Sequence, residues 1–313
     1  MPNGIIVKAL SGYYYVLPEG ASDKTAMVQC RARGVFKKKN VTPLVGDRVE
    51  FEWTDNGEGT VTEVKSRSSE LIRPQVANAE LAVLVFAVAE PALSLNLLDK
   101  FLVHIECAGL DTVLCLTKQD LARPGDRQPV SEQPESAAEQ GIVETIRAVY
   151  GDGMGYPIVL TSAKEGVGLE EIRRLLEGRI SVFSGQSGVG KSSLLNALMP
   201  ELGLETNAIS QKLGRGKHTT RHVELMPLEP SGWVADTPGF SQLDFASIEA
   251  DELGGCFRDI RKESEGCRFR GCLHDREPGC AVRRAVEEGG IAESRYEHYL
   301  QFLTEIRERK RRY

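Results

Sequence analysis

Short runs of hydrophobic positions rich in β-branched and aromatic residues fill the first 72 positions: Gly4–Leu10, Tyr13–Leu17, Ala26–Arg31, Asp47–Trp53 and Gly59–Lys65. Turn formers such as Ser11-Gly12, Pro18-Glu19-Gly20 and Asn56-Gly57 separate them. So many strands in so short a stretch predict a small closed barrel, an OB-fold first and an SH3-type barrel as the alternative. After Arg73-Pro74 the pattern changes. An apolar strand (Leu81–Val88), a helical segment (Leu93–Ala108) and a second strand (Thr112–Leu116) are followed by further elements at Pro157–Leu160, Leu169–Leu176 and Ile180–Phe183. Strands that are apolar throughout, alternating with helices, predict a mainly parallel sheet covered on both faces. Pro124–Gln140 is polar and reads as an exposed connection, and beyond Asp244 a Cys/His cluster precedes a charged helical pattern, Ser294–Arg312. The fold class is therefore α/β with three domains: a barrel over 1–72, a sheet domain over 73–243 and a metal-binding helical domain over 244–313.

The 313-residue length is ample for several cores, and 41% hydrophobic with 27% charged residues excludes a disordered or fibrous chain. Leu81–Ala89 is far too short to cross a bilayer and the N-terminus shows no basic-then-apolar leader, so cytoplasmic residence without membrane contact is expected. In that compartment the seven cysteines are expected to be thiols or metal ligands, without a disulfide framework. A net charge of −6 confines any nucleic-acid contact to local basic runs. There are three: Arg31, Arg33 and Lys37–Lys39; Lys212, Arg215, Lys217 and Arg221; and Arg307, Arg309 and Lys310–Arg312.

Gly185-Gln186-Ser187-Gly188-Val189-Gly190-Lys191-Ser192 matches G-x-x-x-x-G-K-[ST] between the strand Ile180–Phe183 and a helical pattern, Lys191–Met199. Its glycines let backbone N–H groups converge on phosphate oxygens, with Ser193 in the first helical turn completing the cradle. Lys191 is expected at the β- and γ-phosphates and the Ser192 hydroxyl on Mg²⁺. Thr117-Lys118-Gln119-Asp120, after the strand Thr112–Leu116, resembles the N/T-K-x-D loop of GTPases. A carboxylate at Asp120 would accept from guanine N1–H and the exocyclic amine, and Lys118 would lay its stem along the base. Thr117 stands where Asn is commoner. Ser162-Ala163-Lys164 resembles the loop that meets guanine O6. Asp236-Thr-Pro-Gly239 resembles the D-x-x-G switch, and Gly216-Lys-His218-Thr219-Thr220 supplies a switch threonine, with Thr220 expected on Mg²⁺. Phe240 occupies the place where many GTPases carry a water-orienting Gln. His218 is the nearest polar substitute, able to position or deprotonate water, or else simply a solvated loop histidine.

Base loops, phosphate loop and switches thus occur in permuted order, which is permissible because such loops all emerge at the carboxyl ends of strands in one parallel sheet. Cys267-x4-Cys272-x-His274-x5-Cys280 sets four ligands within fourteen residues and suits one closed structural Zn²⁺ site, free buried thiols being the alternative. Cys30, Cys107, Cys115 and Cys256 read as core or incidental residues.

Over essentially its full length the chain resembles the ribosome small-subunit-dependent GTPase A family, circularly permuted GTPases with an N-terminal OB-fold and a C-terminal zinc domain. The resemblance implies GTP hydrolysis with Mg²⁺, a structural zinc, a catalytic role for His218, and action in late maturation of the small (30S) ribosomal subunit through 16S rRNA contacts, as a monomer. The competing function is a signalling GTPase acting on a protein partner.

Overall fold

The β-branched and aromatic runs at the N-terminus become five strands, β1 (Asn3–Leu10), β2 (Tyr13–Pro18), β3 (Val28–Ala32), β4 (Arg48–Trp53) and β5 (Gly59–Val64). They pair in the order β1-β2-β3-β5-β4, and β4 returns to β1 through Asn3↔Glu50, Gly4↔Val49 and Ile5↔Arg48, which closes the barrel. The β3–β5 pairing is parallel and the others antiparallel. This closed five-stranded arrangement is of the OB type. Ile6, Val16, Val28, Cys30, Phe51 and Val61 fill its interior, every second residue of each strand pointing inward. Asp47 is fully buried before β4 and receives both Nε and Nη2 of Arg67, each at 2.8 Å.

This computed structural model describes residues 1–21, 24–34, 36, 41–71, 75–121, 141–203, 223–236 and 243–311, the side chains of Asp236, Lys310 and Arg311 excepted. After the barrel come a small hairpin, β6 (Glu70–Leu71) and β7 (Val76–Ala77), then β8 (Leu81–Ala87), α1 (Leu95–Cys107) and β9 (Asp111–Thr117). A short helix α2 (Ile142–Ile146) runs into a π-helical turn at Arg147–Asp152, followed by β10 (Ile158–Leu160), α3 (Leu169–Leu176), β11 (Ile180–Ser184) and α4 (Lys191–Leu198). Next are β12 (Glu224–Pro227) and β13 (Trp233–Asp236), then α5 (Arg258–Ser264), α6 (Ala281–Glu287) and α7 (Glu293–Arg311). The stretch 122–140, the second basic run, Lys37–Lys39 and Arg312 lie outside the described residues.

Two compact units share the chain. One comprises Met1–Val83, Leu169–Ser184 and Lys191–Ser241. In it the barrel continues through a β1–β12 pairing (Lys8↔Glu224) into antiparallel β12–β13, and β13 pairs parallel with β11. The other comprises Leu84–Gly168, Gly185–Gly190 and Gln242–Tyr313. There β9 and β10 are parallel, both apolar as expected of buried strands, and α1 is capped by Ser94, whose Oγ accepts from Leu97 N at 3.3 Å. Val103 of α1 joins Phe245, Leu253, Phe257, Ile260, Val282, Tyr299, Phe302 and Ile306 in one core.

Two of the cysteines depart from the expectation. Cys107 and Cys256 form a disulfide across 149 residues, with their Cα atoms 5.1 Å apart, whereas Cys30 and Cys115 are free and buried. Packing of the C-terminal end of α1 on the turn Leu253–Cys256 brings the pair within bridging distance, which spacing along the chain does not reveal. Among the described residues no helix is long and apolar enough to cross a membrane.

Candidate functional site: a phosphate loop, two base loops and a cysteine-histidine cage

The five residues of β11 are all buried, and the chain leaves this strand through Gly185 directly into the phosphate loop. Gly185 has φ +147°, and a Cβ there would lie 2.0 Å from the Val85 carbonyl oxygen, so no other residue fits without moving the strand. Gly190, at φ +93°, turns the chain into α4, whose first residues are Lys191, Ser192 and Ser193. Burial pushes the Lys191 ammonium down to about 8, and an anionic ligand beside it would raise that value again by favouring the charged form.

Thr117 ends β9, buried, with Oγ1 in reach of two carbonyl oxygens, those of Phe86 at 3.2 Å and of Val189 in the phosphate loop. A residue whose type departs from the commoner Asn thereby fastens the first base loop to the phosphate loop. Lys118 adopts φ +60° and donates through Nζ to the Glu90 carbonyl. Gln119 N donates to Thr161 O at 3.2 Å, and Ser162 Oγ donates to Asp120 Oδ1 at 2.9 Å while accepting from Glu165 N at 3.2 Å. The two base loops are thus laced together, and Ala163 and Lys164 follow Ser162 in the turn that the Ser162–Val167 bridge closes. Asp236 ends β13. His218, Thr219, Thr220 and Gly239 lie outside the described residues.

The second cluster lies between α5 and α6. Cys267, Cys272, His274 and Cys280 bring their ligand atoms within 4.8 Å of one another. His274 Nδ1 is 3.6 Å from Cys267 Sγ and 3.5 Å from Cys280 Sγ, and the two sulfurs are 4.0 Å apart. A tetrahedron with metal–sulfur bonds of about 2.3 Å has edges of about 3.8 Å, so these residues can hold a metal ion of zinc's size. Burial keeps the His274 imidazole below its usual pKa, hence neutral and able to ligate, and pushes the Cys272 thiol up to about 12. A cation bound among such crowded sulfurs would displace their protons to solvent and hold the thiolates.

Sequence reasoning missed the Glu90 carbonyl as a partner of Lys118 and a buried ionic cluster around Arg295. Arg295 meets Asp99 and Asp259, and Asp99 also receives Tyr150 Oη at 2.7 Å, with His298 Nδ1 2.6 Å away.

Comparison with known proteins bears directly on this geometry. A family model described as RsgA GTPase matches residues 64–246, and one described as RsgA N-terminal domain matches residues 3–61. The chain belongs to the RsgA GTPase family. It is a GTP-hydrolysing enzyme, and the order of its motifs is that of a circularly permuted GTPase. Curated family relatives named small ribosomal subunit biogenesis GTPase are 52% identical in Bacillus pumilus, over 315 residues, and 50% identical in Bacillus subtilis, each alignment covering both chains completely. Among solved structures, YloQ, described as a circularly permuted GTPase, is 44% identical with TM-score 0.78, covering 99% of this chain and 96% of its own. YjeQ from Thermotoga maritima is 37% identical with TM-score 0.79, covering 97% and 98%.

Proposed function

We propose that this GTPase binds the small (30S) ribosomal subunit, acts in its late maturation, and is stimulated by it. The observation that carries the nucleotide half of this reading is the lacing of Thr117–Asp120 and Ser162 to one another and of Thr117 to the Val189 backbone. Guanine recognition at Lys118, Asp120 and the Ser162–Lys164 turn is thereby tied to the loop that would hold the phosphates, Gly185–Ser193. The names of the curated relatives support the ribosomal half, together with a barrel of a type that binds nucleic acid.

Within that reading residues 1–72 contact 16S rRNA, residues 73–243 bind GTP or GDP, and residues 244–313 hold one structural Zn²⁺ through Cys267, Cys272, His274 and Cys280. The hydroxyls of Ser192 and Thr220 are hard oxygen donors that suit Mg²⁺, which when bound neutralises charge on the phosphates. Asp236 and Gly239 sense the γ-phosphate, and His218 orients the attacking water. The protein works as a cytoplasmic monomer.

Hydrolysis assays with and without purified small subunits test the proposal. Strong stimulation of GTP turnover, with ATP unreactive, is expected. Turnover indifferent to the subunit would leave a GTPase acting elsewhere.

A further inference from the structure

The chain between Cys267 and Cys272 carries one of the few large apolar side chains left exposed among the described residues, Phe269, at 46%. A single exposed ring is ordinary, but the surroundings of this one are not. Arg268 and Arg270 flank it, both exposed, and the Arg268 guanidinium lies 5.4 Å from the ring centroid. On the adjoining loop the Arg276 side chain is 93% exposed. Both acids between Cys267 and Cys280 are already engaged. Glu277 accepts from the backbone N–H groups of Leu273, Asp275 and Arg276 at 2.9–3.1 Å, and Asp275 pairs with Arg307 at 2.9 Å and sits 3.8 Å from Arg276.

The presenting loop is also held firmly. Arg268 N donates to Gly279 O, Tyr296 Oη donates to the His274 carbonyl at 2.6 Å, and Tyr299 Oη donates to that of Leu273 at 2.8 Å. An exposed aromatic face with one guanidinium beside it and a second exposed arginine next to it in the chain matches one ligand chemistry, an unpaired base with flanking phosphate. A protein partner fits less well, since the aromatic anchors of protein interfaces sit within an apolar patch that excludes water, and the immediate neighbours of Phe269 are arginines and a glycine.

We infer that Phe269, with Arg268, Arg270 and Arg276, forms a base-stacking platform for single-stranded RNA on the metal-cage loops. This inference rests on the proposed ribosomal role for the choice of RNA, and its test is arranged to fail separately.

The full chain is titrated, with a non-hydrolysable GTP analogue, against a short oligoribonucleotide containing 2-aminopurine and against purified small subunits. Stacking should quench the fluorescent base with the native protein and not with Phe269→Ala. The same variant should weaken subunit binding about tenfold, within the range expected for one stacked base. Phe269→Trp should keep both effects and Phe269→Leu should lose both, because leucine preserves apolar contact but not a π-face. Arg270→Ala should lower the salt dependence of binding by about one charge. Metal content of each variant, measured in parallel, separates loss of stacking from loss of the cage.

Full activity of Phe269→Ala, or full rescue by Phe269→Leu, would overturn the inference while leaving the ribosomal reading intact. Absence of subunit binding by the native protein would overturn the ribosomal reading, and the quenching experiment would still decide the platform. A photoreactive p-benzoylphenylalanine in place of Phe269 should crosslink to rRNA, and exclusive crosslinking to ribosomal protein would contradict it.

Discussion

The cysteine-histidine cage and the Arg295 cluster lie in the same unit, and both bury polar groups, but they are assembled from opposite kinds of sequence. The cage draws its ligands from fourteen consecutive residues, so a local turn brings them together where a cation would complete them. The Arg295 cluster joins α1, the π-helical turn, α5 and α7, and Arg295 and Asp99 are 196 residues apart. Its groups are partners for one another, a single guanidinium bridging two carboxylates, and it exists only once the helices have packed. Local chemistry therefore specifies a binding site, whereas long-range charge pairing specifies which helices belong together.

Removing a cage ligand should have the largest effect. Cys280→Ser should abolish stoichiometric metal and loosen α6 and α7, since structural metal energy in small cages is folding energy of about 10 kcal/mol or more. Elemental analysis with hydrogen exchange reads both, and persistence of metal in the variant would break the contrast. Arg295→Met comes next. It removes the guanidinium that Asp99 and Asp259 share, at a cost of about 3–5 kcal/mol, while the cage, whose ligands are local, keeps its metal. Adding Asp99→Asn and Asp259→Asn should recover part of that loss in denaturant unfolding.

His104 supplies the smallest effect and sharpens the same point, because it is a buried ionisable group without an ion pair. It stacks on Phe245 with ring centroids 5.4 Å apart, and its Nε2 has no hydrogen-bond partner among the described residues. Burial, followed by the charge of Lys100, pushes its pKa down to about 4. With the folded value below the ordinary 6.5, the unfolded chain binds the proton more readily. Stability is therefore full above about pH 6.5 and falls as the pH drops toward 4, by at most about 3 kcal/mol. His104→Phe should flatten that part of the stability–pH curve, and an unchanged slope would show that His104 does not set it.

How much of this was readable beforehand follows the same division. The barrel strands lie within one or two residues of the β-branched and aromatic runs, because such residues with turn formers between them are a strong local signal. The phosphate loop and the cage are also contiguous motifs. The Thr117–Val189 contact spans 72 residues and Cys107–Cys256 spans 149, and neither has a local signature. Thr117 seemed only to lack an amide, and its place at the end of β9 beside the phosphate loop gives the hydroxyl a use that the motif alone does not show. The hairpin β6–β7, the strand β12 and helices α5 and α6 are short elements whose patterns span too few residues to stand out.

The proposed function joins the nucleotide loops to subunit binding, and so predicts that the bound nucleotide governs attachment to the small subunit. A ligand shifts such an equilibrium only through different affinities for the two states, so the most direct measurement is the dissociation constant of the full chain for purified small subunits with GDP and with a non-hydrolysable GTP analogue. Tight binding with the analogue and weak binding with GDP is the predicted result, and equal affinity in the two nucleotide states would contradict it.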